Sequence, residues 1–316
     1  MRFTKGKIWA IAMTLVWSSC TPTPTEQPSA IGSTEPIVDF SNYRPVEGWP
    51  DIPEGLLLGE VAGVSVDRDG DIWFFHRGEQ PLLEFKSDGT FLRSLLEDSV
   101  TRAHGLRVDA ENNIWVTDEG AHTVTKLDHG GELLMTLGET GEAGEDESHF
   151  GGPADVAFSP NGDFFVADGH ENNRVVKFDR SGAFLKTWGT LGAGQGEFNE
   201  PHTVEVGPDE RLYVGDRGNK RIQIFDLDGN FIEMWTHIGT PSGLSIQGDR
   251  LYMSDNVNFK IIMMDLEGVI LDSFGSEGSG LGQFNPPHDL DVAQNGDLYV
   301  AEVRNMRAQK FLVSSP

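Results

Sequence analysis

Cysteine is almost absent from this sequence of 316 residues, which has a single one at position 20. The chain therefore forms no internal disulfide, and any bound metal must be held by histidine, carboxylate or carbonyl ligands rather than by thiolates. Basic residues are also scarce, with 24 against 50 acidic ones, for a formal net charge of −26. Because such a charge repels phosphate backbones and anionic lipid surfaces, we expect a soluble surface and no nucleic-acid partner.

Long hydrophobic runs are missing too. The one apolar stretch near the start, Ile8 to Trp17, follows a basic segment and is too short to span a bilayer as a mature helix. It leads into Ser-Ser-Cys20 and resembles a bacterial lipobox, although Trp17 replaces the usual leucine and ordinary signal-peptidase cleavage is the alternative. We expect a signal peptide of lipoprotein type over residues 1–20 and a flexible tether, rich in proline, threonine and serine, over residues 21–44.

These features predict an exported protein, either a periplasmic or outer-membrane lipoprotein or a secreted one. Its contact with a membrane would then be through an N-terminal lipid anchor alone. We expect a monomer.

From about residue 55 the sequence is a repeat. Each unit has a short alternating strand, a turn such as NG or DG, a second strand that ends in an acidic residue, and two further strands. The second strands align in six copies with one apolar column: Ile72, Ile114, Phe164, Leu212, Leu251 and Leu298. Short alternating strands at this spacing predict an all-β protein, a six-bladed β-propeller over residues 45–316.

The sixth unit ends after its third strand, RAQKFLV. We predict that an N-terminal strand around Gly55 to Gly59 completes this blade and closes the ring, which hides the edges of the sheets.

Another column of the repeat carries histidine in alternate units. From the first unit to the sixth it reads Ala62, His104, Ala154, His202, Ser242 and His288. Alternate blades of a six-bladed ring lie about 120° apart, and this position begins the strand that faces the central channel. Three imidazoles would converge there and leave an open coordination position, which predicts a three-histidine metal centre. For each histidine taken alone, a hydrogen bond to a neighbouring loop is the alternative.

A second column follows the end of the second strand and contains Arg77 and Arg217, on opposite units. Guanidinium groups pair bidentately with carboxylates, so these arginines suggest a clamp for an anionic substrate; structural pairing with acidic loops is the alternative. In the third unit this loop offers His170 as a general acid or base, or else as an exposed loop residue. Four other histidines share no register and are expected to be structural: His76, His122, His149 and His237.

Several long motifs resemble the catalytic core of the peptidyl-α-hydroxyglycine α-amidating lyases, a family of NHL-repeat propellers. They are FFHRG, AHGLRVD, WVTDEGAHTVTKLD, SHFGGPADVAFSPNGDFFVADG, GEFNEPHTVEV, GDRGNKRIQIFD and PPHDLDV. They occur in the order of that family, and the resemblance covers roughly residues 45 to 313.

The resemblance implies a zinc site and two active-site arginines, which correspond to His104, His202, His288, Arg77 and Arg217. It also implies a structural calcium ion held by Asp289 and by the backbone carbonyls of Val64 and Leu106. The sequence departs from the family at His170, where the family has its catalytic tyrosine, and at Pro286, where it has methionine.

The implied reaction is the zinc-dependent cleavage of a carbinolamide, R-CO-NH-CH(OH)-COO⁻, to an amide and glyoxylate. Arg77 would hold the carboxylate of this small-molecule or peptide substrate, and His170 would move the proton. Because His170 replaces tyrosine, a ureidoglycolate-type or other carbinolamide lyase is an alternative. A non-catalytic, surface-tethered propeller that binds a peptide or glycan and a metal-dependent hydrolase or lactonase are the others.

Overall fold

The computed structural model of this protein describes Arg2 and residues 40–314. The predicted signal peptide, Cys20 and the predicted tether as far as residue 39 therefore lie outside the described residues, apart from Arg2. Regular structure in the described part is almost wholly β, with two short 3-10 turns at Phe40–Asn42 and Arg217–Asn219. This part of the chain contains no helix with the length and apolar character needed to cross a bilayer.

The described strands form six antiparallel sheets of four strands each, so the predicted six-bladed β-propeller is confirmed. In chain order the strands are β1 (Tyr43–Pro45); β2 (Val61–Val66), β3 (Ile72–His76), β4 (Leu82–Phe85) and β5 (Phe91–Leu95) of blade 1; β6 (Ala103–Val108), β7 (Ile114–Asp118), β8 (Thr123–Leu127) and β9 (Leu133–Leu137) of blade 2; β10 (Pro153–Phe158), β11 (Phe164–Asp168), β12 (Arg174–Phe178) and β13 (Phe184–Trp188) of blade 3; β14 (Pro201–Val206), β15 (Arg211–Asp216), β16 (Arg221–Asp226) and β17 (Phe231–Thr236) of blade 4; β18 (Pro241–Gln247), β19 (Arg250–Asp255), β20 (Lys260–Asp265) and β21 (Ile270–Phe274) of blade 5; and β22 (Pro287–Val292), β23 (Leu298–Glu302) and β24 (Arg307–Val313) of blade 6.

Blade 6 is completed by the N-terminal strand β1, which pairs with β24 in the register Tyr43 to Val313. The prediction of an N-terminal closing strand is therefore right, but its placement around Gly55 to Gly59 is wrong. Leu57 in that segment is 83% exposed, whereas Tyr43 is 5% exposed and donates a hydrogen bond to the Gly296 carbonyl at 3.0 Å. Because Tyr43 and the next residue belong to β1, the last residues of the predicted tether are part of the sheet.

The core lies between neighbouring blades. Aspartate side chains stabilise the hairpin turns that connect the core strands. In blade 1 Asp67 Oδ1 accepts hydrogen bonds from the backbone N–H groups of Asp69 and Asp71, both at 2.9 Å. The apolar column of the second strand is buried in every blade, including Ile72 and Leu298, both 0% exposed. Each such side chain stabilises the fold by about 1.5–3 kcal/mol through burial.

A β-bulge lies at the same place in the innermost strand of every blade. The strand pairing shifts at the six residues of the histidine column, which are Ala62, His104 (with Gly105), Ala154, His202, Ser242 and His288. A bulge leaves its extra residue unpaired and turns its side chain away from the regular alternation. The bulge thus allows consecutive residues, such as His288 and Asp289, to line one cavity at the centre of the ring.

Candidate metal centre and substrate cavity

Three histidine rings meet at the centre of the propeller, from blades 2, 4 and 6. The ring centroids of His104 and His202 are 4.7 Å apart, those of His104 and His288 are 4.8 Å apart, and those of His202 and His288 are 5.0 Å apart. The intervening small residues of the column line the same cavity. The structure therefore brings together the three residues predicted as metal ligands.

A buried carboxylate at the end of the second strand fixes the loop that leads into each histidine. In blade 2 the Asp118 carboxylate accepts hydrogen bonds from the backbone N–H groups of Thr101 at 2.6 Å and Arg102 at 2.8 Å. Asp216 and Glu302 hold the corresponding loops of blades 4 and 6 in the same way. The acidic residue that ends the second strand in the repeat thus positions the start of the inner strand.

Each histidine of the centre is oriented by the backbone of the next blade. The three hydrogen bonds join His104 Nδ1 to the Ala154 carbonyl at 2.8 Å, His202 Nδ1 to the Ser242 carbonyl at 2.7 Å, and His288 Nδ1 to the Ala62 carbonyl at 2.7 Å. A carbonyl only accepts, so each Nδ1 carries the proton and each Nε2 has a free lone pair. This is the second-sphere arrangement that fixes histidine tautomers at metal sites.

Blades 2 and 3 pack closely beside the His104 hydrogen bond, so a larger side chain has no room there. Gly105 follows His104, and a Cβ atom at this position would lie 2.4 Å from the Ala154 carbonyl oxygen, which is the acceptor for His104. We infer that glycine is required here so that blades 2 and 3 can approach closely enough to form that hydrogen bond.

All three rings are buried and uncharged. Burial lowers the pKa of His104, with the neighbouring His170 adding to the effect, and burial together with Arg217 lowers the pKa of His202. Burial and Arg217 lower the pKa of His288 to about 3. His202 Nε2 is fully buried and makes no hydrogen bond with any described residue. Three neutral imidazoles whose rings meet at the axis form a donor set for a metal ion such as zinc, so the residues present fit the expected metal.

His170 approaches this centre from the blade 3 loop. Its Nε2 lies 2.8 Å from His104 Nε2 and 2.8 Å from Glu119 Oε2. Because His104 Nε2 and the carboxylate can only accept, the proton between them belongs to His170 Nε2. The nitrogens of His104, His170 and His202 lie within 4.8 Å of one another, so His170 is also close enough to contribute to a metal site.

Glu119 connects this histidine to the arginines of the site. Burial alone would raise the pKa of Glu119, but the hydrogen bond and charge of His170, with Arg77 and Arg102, lower it to about 2. The carboxylate is therefore ionised at neutral pH and is available as the hydrogen-bond acceptor for His170 Nε2.

A cavity of about 350 Å³ lies above the histidines. Its lining includes His104, His170 and His288 together with four arginines, Arg77, Arg102, Arg217 and Arg304. The cavity is thus locally rich in positive charge on a strongly acidic protein, and a carboxylate-bearing ligand suits it.

Three of these four arginines already have acidic partners. Arg77 donates to Glu60 at 2.5 Å, to Glu119 at 3.4 Å and to the Ala103 carbonyl at 3.0 Å. Arg102 pairs with Glu119, and Arg217 pairs with Glu200. The guanidinium of Arg304 has no ion pair or hydrogen bond within residues 40–314, so it lines the cavity as a free cation.

Sequence reasoning missed Glu119, Arg102 and Arg304 as parts of this cavity. Glu119 occupies the same column as Arg77 and Arg217, so the column itself carried the signal. Arg304 directly follows the Val303 position of that column, but no sequence pattern indicates that its side chain is unpaired.

The residues expected to hold calcium lie deeper along the axis. Val64 and Leu106 are fully buried in the inner strands of blades 1 and 2. The backbone N–H of Val64 donates to Asp289 Oδ2 at 3.2 Å, and Asp289 Oδ1 lies 3.9 Å from Arg107 Nη2. The carboxylate that was expected to bind calcium therefore lies beside a guanidinium group.

The four histidines predicted to be structural are not among the residues that line either cavity. His76 Nδ1 accepts a hydrogen bond from the Gly59 N–H at 3.0 Å, and His122 Nδ1 accepts one from the Gly152 N–H at 3.1 Å.

Comparisons with known proteins agree with this architecture. The family model for the NHL repeat matches residues 101–127, 150–178 and 198–225. NHL repeat-containing protein 3 of Homo sapiens is 32% identical, and the match covers 85% of this chain and 84% of that protein.

Other relatives have names that include an amidating activity. Peptidyl-glycine alpha-amidating monooxygenase A of Xenopus laevis is 31% identical over 83% of this chain, which spans about a third, 32%, of that protein's length. A probable peptidyl-alpha-hydroxyglycine alpha-amidating lyase of Caenorhabditis elegans is 35% identical, over 53% of this chain and 56% of that protein.

Among solved structures, a streptogramin B lyase superimposes with a TM-score of 0.60 at 18% identity, covering 88% of this chain and 90% of that one. At this identity the likeness concerns the fold alone.

Proposed function

This chain belongs to the NHL-repeat β-propeller family that includes the peptidyl-α-hydroxyglycine α-amidating lyases, and from that premise we propose that it is a metal-dependent carbinolamide lyase. The observation that carries the proposal is the convergence of three neutral histidines beneath a cavity lined by arginines. The proposed substrate is an N-acyl-α-hydroxyglycine, free or at the end of a peptide, and the products are the amide and glyoxylate.

The histidines and the metal supply the polarising group. Zinc held by His104, His202 and His288 would act as a Lewis acid towards the substrate hydroxyl and lower its pKa. The three backbone carbonyls that accept from the Nδ1 atoms keep these rings in place before substrate arrives, which reduces the reorganisation needed for the reaction.

Arg77 and Arg217 would bind the substrate carboxylate. The Glu60 partner of Arg77 has a side chain that is 43% exposed, and such exposed ion pairs contribute little stability. A substrate carboxylate can therefore replace Glu60 on Arg77 at low cost, while Arg304 provides a further cation at the wall of the cavity. Bidentate binding of the carboxylate would fix the position of the carbinol carbon.

His170 and Glu119 would move the proton. Because His170 Nε2 donates to Glu119, its Nδ1, which lies 3.7 Å from Glu200 Oε1, keeps a lone pair and would accept the hydroxyl proton. The carbon–nitrogen bond then breaks as the carbonyl of glyoxylate forms, and the same proton passes to the leaving amide nitrogen. The ionised Glu119 stabilises the imidazolium that exists between these two transfers. No oxidant or water is consumed.

The direct test is an assay of glyoxylate release by the purified full-length chain. An N-acyl-α-hydroxyglycine and ureidoglycolate are compared as substrates, before chelation, after chelation and after return of zinc. We expect chelator-sensitive release that zinc restores, and a preference between the two substrates separates the peptide-type from the ureidoglycolate-type reaction.

The control variants distinguish catalysis from binding alone. His202→Asn removes one histidine of the central site and should abolish glyoxylate release. His237→Asn changes an exposed histidine and should leave glyoxylate release intact. If neither substrate yields chelator-sensitive glyoxylate, the lyase proposal fails, and the non-catalytic propeller that binds a peptide or glycan becomes the better account.

A further inference from the structure

The axis of the propeller continues past the histidines to a second cavity. This cavity, of about 210 Å³, is lined by the residues three positions after the histidine column, among them Arg107, Glu205 and Asp291. Two more acidic residues, Asp155 and Asp289, lie one position after the column and line the cavity of the histidine centre. One arginine therefore shares the axis with four acidic side chains.

Arg107 joins several blades across the channel. Its Nε donates to Asp155 Oδ1 at 2.9 Å, and its Nη2 donates to Asp155 Oδ2 at 2.6 Å and to the Leu244 carbonyl at 3.1 Å. Asp289 Oδ1 lies 3.9 Å from the same Nη2 atom. From blade 2, the guanidinium thus contacts blades 3 and 5 directly and lies beside the carboxylate of blade 6.

The remaining blades attach to the same set of carboxylates. Thr203 Oγ1 of blade 4 donates to Asp155 Oδ2 at 2.8 Å. Asp291 of blade 6 accepts from Ser65 Oγ of blade 1 at 3.3 Å and from Ser245 Oγ of blade 5 at 2.9 Å. The inner strands are therefore held together by a ring of polar contacts with a guanidinium at its centre.

A structural calcium ion does not fit this centre. Calcium binds six to eight oxygen atoms, and the resemblance assigns it to Asp289 and two backbone carbonyls. The Asp289 carboxylate already accepts a hydrogen bond from the Val64 N–H, and the positive charge of Arg107 beside it would repel a second cation.

We propose that the Arg107 guanidinium is the internal cation of this propeller and takes the structural place of a calcium ion, so that the hub is held together without calcium. The proposal concerns the stability of the fold and does not depend on the lyase activity.

The charge balance of the cluster supports this role. Burial raises the pKa of Glu205 to about 8, although Arg107 acts in the opposite direction, so Glu205 keeps its proton at neutral pH. The guanidinium then has fewer negative charges to balance. The guanidinium of Arg107 stays charged because arginine does not lose its proton in proteins.

The test is the response of the full-length protein to calcium after its metals have been removed and the chelator washed away. We expect the thermal midpoint of the wild type to be unchanged when calcium is added. Arg107→Gln leaves the carboxylates without a cation, so its midpoint should fall by about 10 °C, and calcium should restore most of the loss.

Arg174→Gln is the matched control. Arg174 is also a buried arginine that pairs with an aspartate, Asp168, at 2.8 Å, but it lies in the third strand of blade 3, away from the axis. Its loss should lower the midpoint without any recovery in calcium, because a single carboxylate does not bind calcium well.

A wild type that calcium stabilises, or an Arg107→Gln variant that calcium fails to restore, would overturn the proposal. If Arg107→Gln cannot be isolated folded, Arg107→Lys provides the answer, since its ammonium group retains the positive charge. That variant should fold and ignore calcium, and an Arg107→Lys protein that requires calcium would equally refute the idea.

Discussion

At the scale of single residues, the proposed proton transfer depends on the Glu119–His170 pair. Glu119 accepts from His170 Nε2 at 2.8 Å and also pairs with Arg77 and Arg102. An aspartate that orients a histidine in this way fixes its tautomer and stabilises its charged form, as in hydrolase triads. In the proposed mechanism, Glu119 has this function for His170, and Arg77 and Arg102 hold Glu119 in place.

Substitutions at His170 test this assignment. His170→Phe removes the proton acceptor and should lower kcat by about 10²–10⁴-fold, the usual contribution of a general base. His170→Tyr should retain part of the activity but need a more alkaline solution, because a phenol ionises near pH 10 and an imidazole near pH 6.5 in small peptides. The base works in its deprotonated form, so the rise of rate with pH should move upward.

The measurement is a pH–rate profile for each variant beside its zinc content. Unchanged zinc with reduced kcat supports a role in proton transfer. Loss of zinc from His170→Phe would instead make His170 a ligand, and a wild-type kcat in that variant would remove it from the mechanism.

Some site residues could be predicted from the sequence and others could not. His104, His202 and His288 could be found because they occupy the same position in alternate repeat units, and aligning the units only requires counting residues. Arg107 was missed, although it is the one basic residue in an inward column that otherwise reads Ser65, Ala157, Glu205, Ser245 and Asp291. The proposed replacement of an ion by Arg107 depends on distances across the ring, and these distances cannot be read from the sequence of a single blade.

At the scale of elements, the bulge in each inner strand determines what faces the axis. Simple alternation would send His104 and Leu106 to the same side of the strand. The bulge at His104 changes this, so the histidine lines the central cavity while Leu106 packs between the blades. Sequence periodicity does not reveal a bulge. The sequence alone therefore could not show that the histidine side chains point towards the axis.

The closing strand is a second case in which the sequence indicated the element but not its location. GLLLG is apolar, but apolar residues alone do not make a sheet strand, and Leu57 points into solvent. The strand that pairs with β24 has the sequence YRP, which is too short and too polar to be recognised. Its Tyr43 packs against Phe40 at a ring-centroid distance of 5.4 Å.

Two alanine substitutions in the full-length chain compare these segments. Tyr43→Ala should lower the free energy of unfolding by about 3 kcal/mol, since it removes a buried aromatic ring from the closing strand. Leu57→Ala should change it by less than about 0.5 kcal/mol, as expected for an exposed position. Denaturant unfolding measures both values, and the reverse order of effects would return the closing role to residues 55–59.

At the scale of the whole molecule, the ring symmetry and the distribution of charge both shape the central site. Six blades in which histidine alternates with alanine or serine give three candidate ligands and the space between them. The protein carries a net charge of −26, but four arginines line the cavity above the histidines. The proposed carboxylate substrate would therefore be attracted only near this cavity, because the overall charge is screened over about 8–10 Å at physiological ionic strength.

The central claim is that imidazoles from blades 2, 4 and 6 bind one metal ion, and the zinc content of purified full-length variants tests it most directly. Elemental analysis after equilibration with zinc and removal of the excess should find one ion per chain in the wild type and in His237→Asn. It should find almost none in His202→Asn, although that variant remains folded. A wild type that retains no zinc, or a His202→Asn protein that retains as much as the wild type, would contradict the claim.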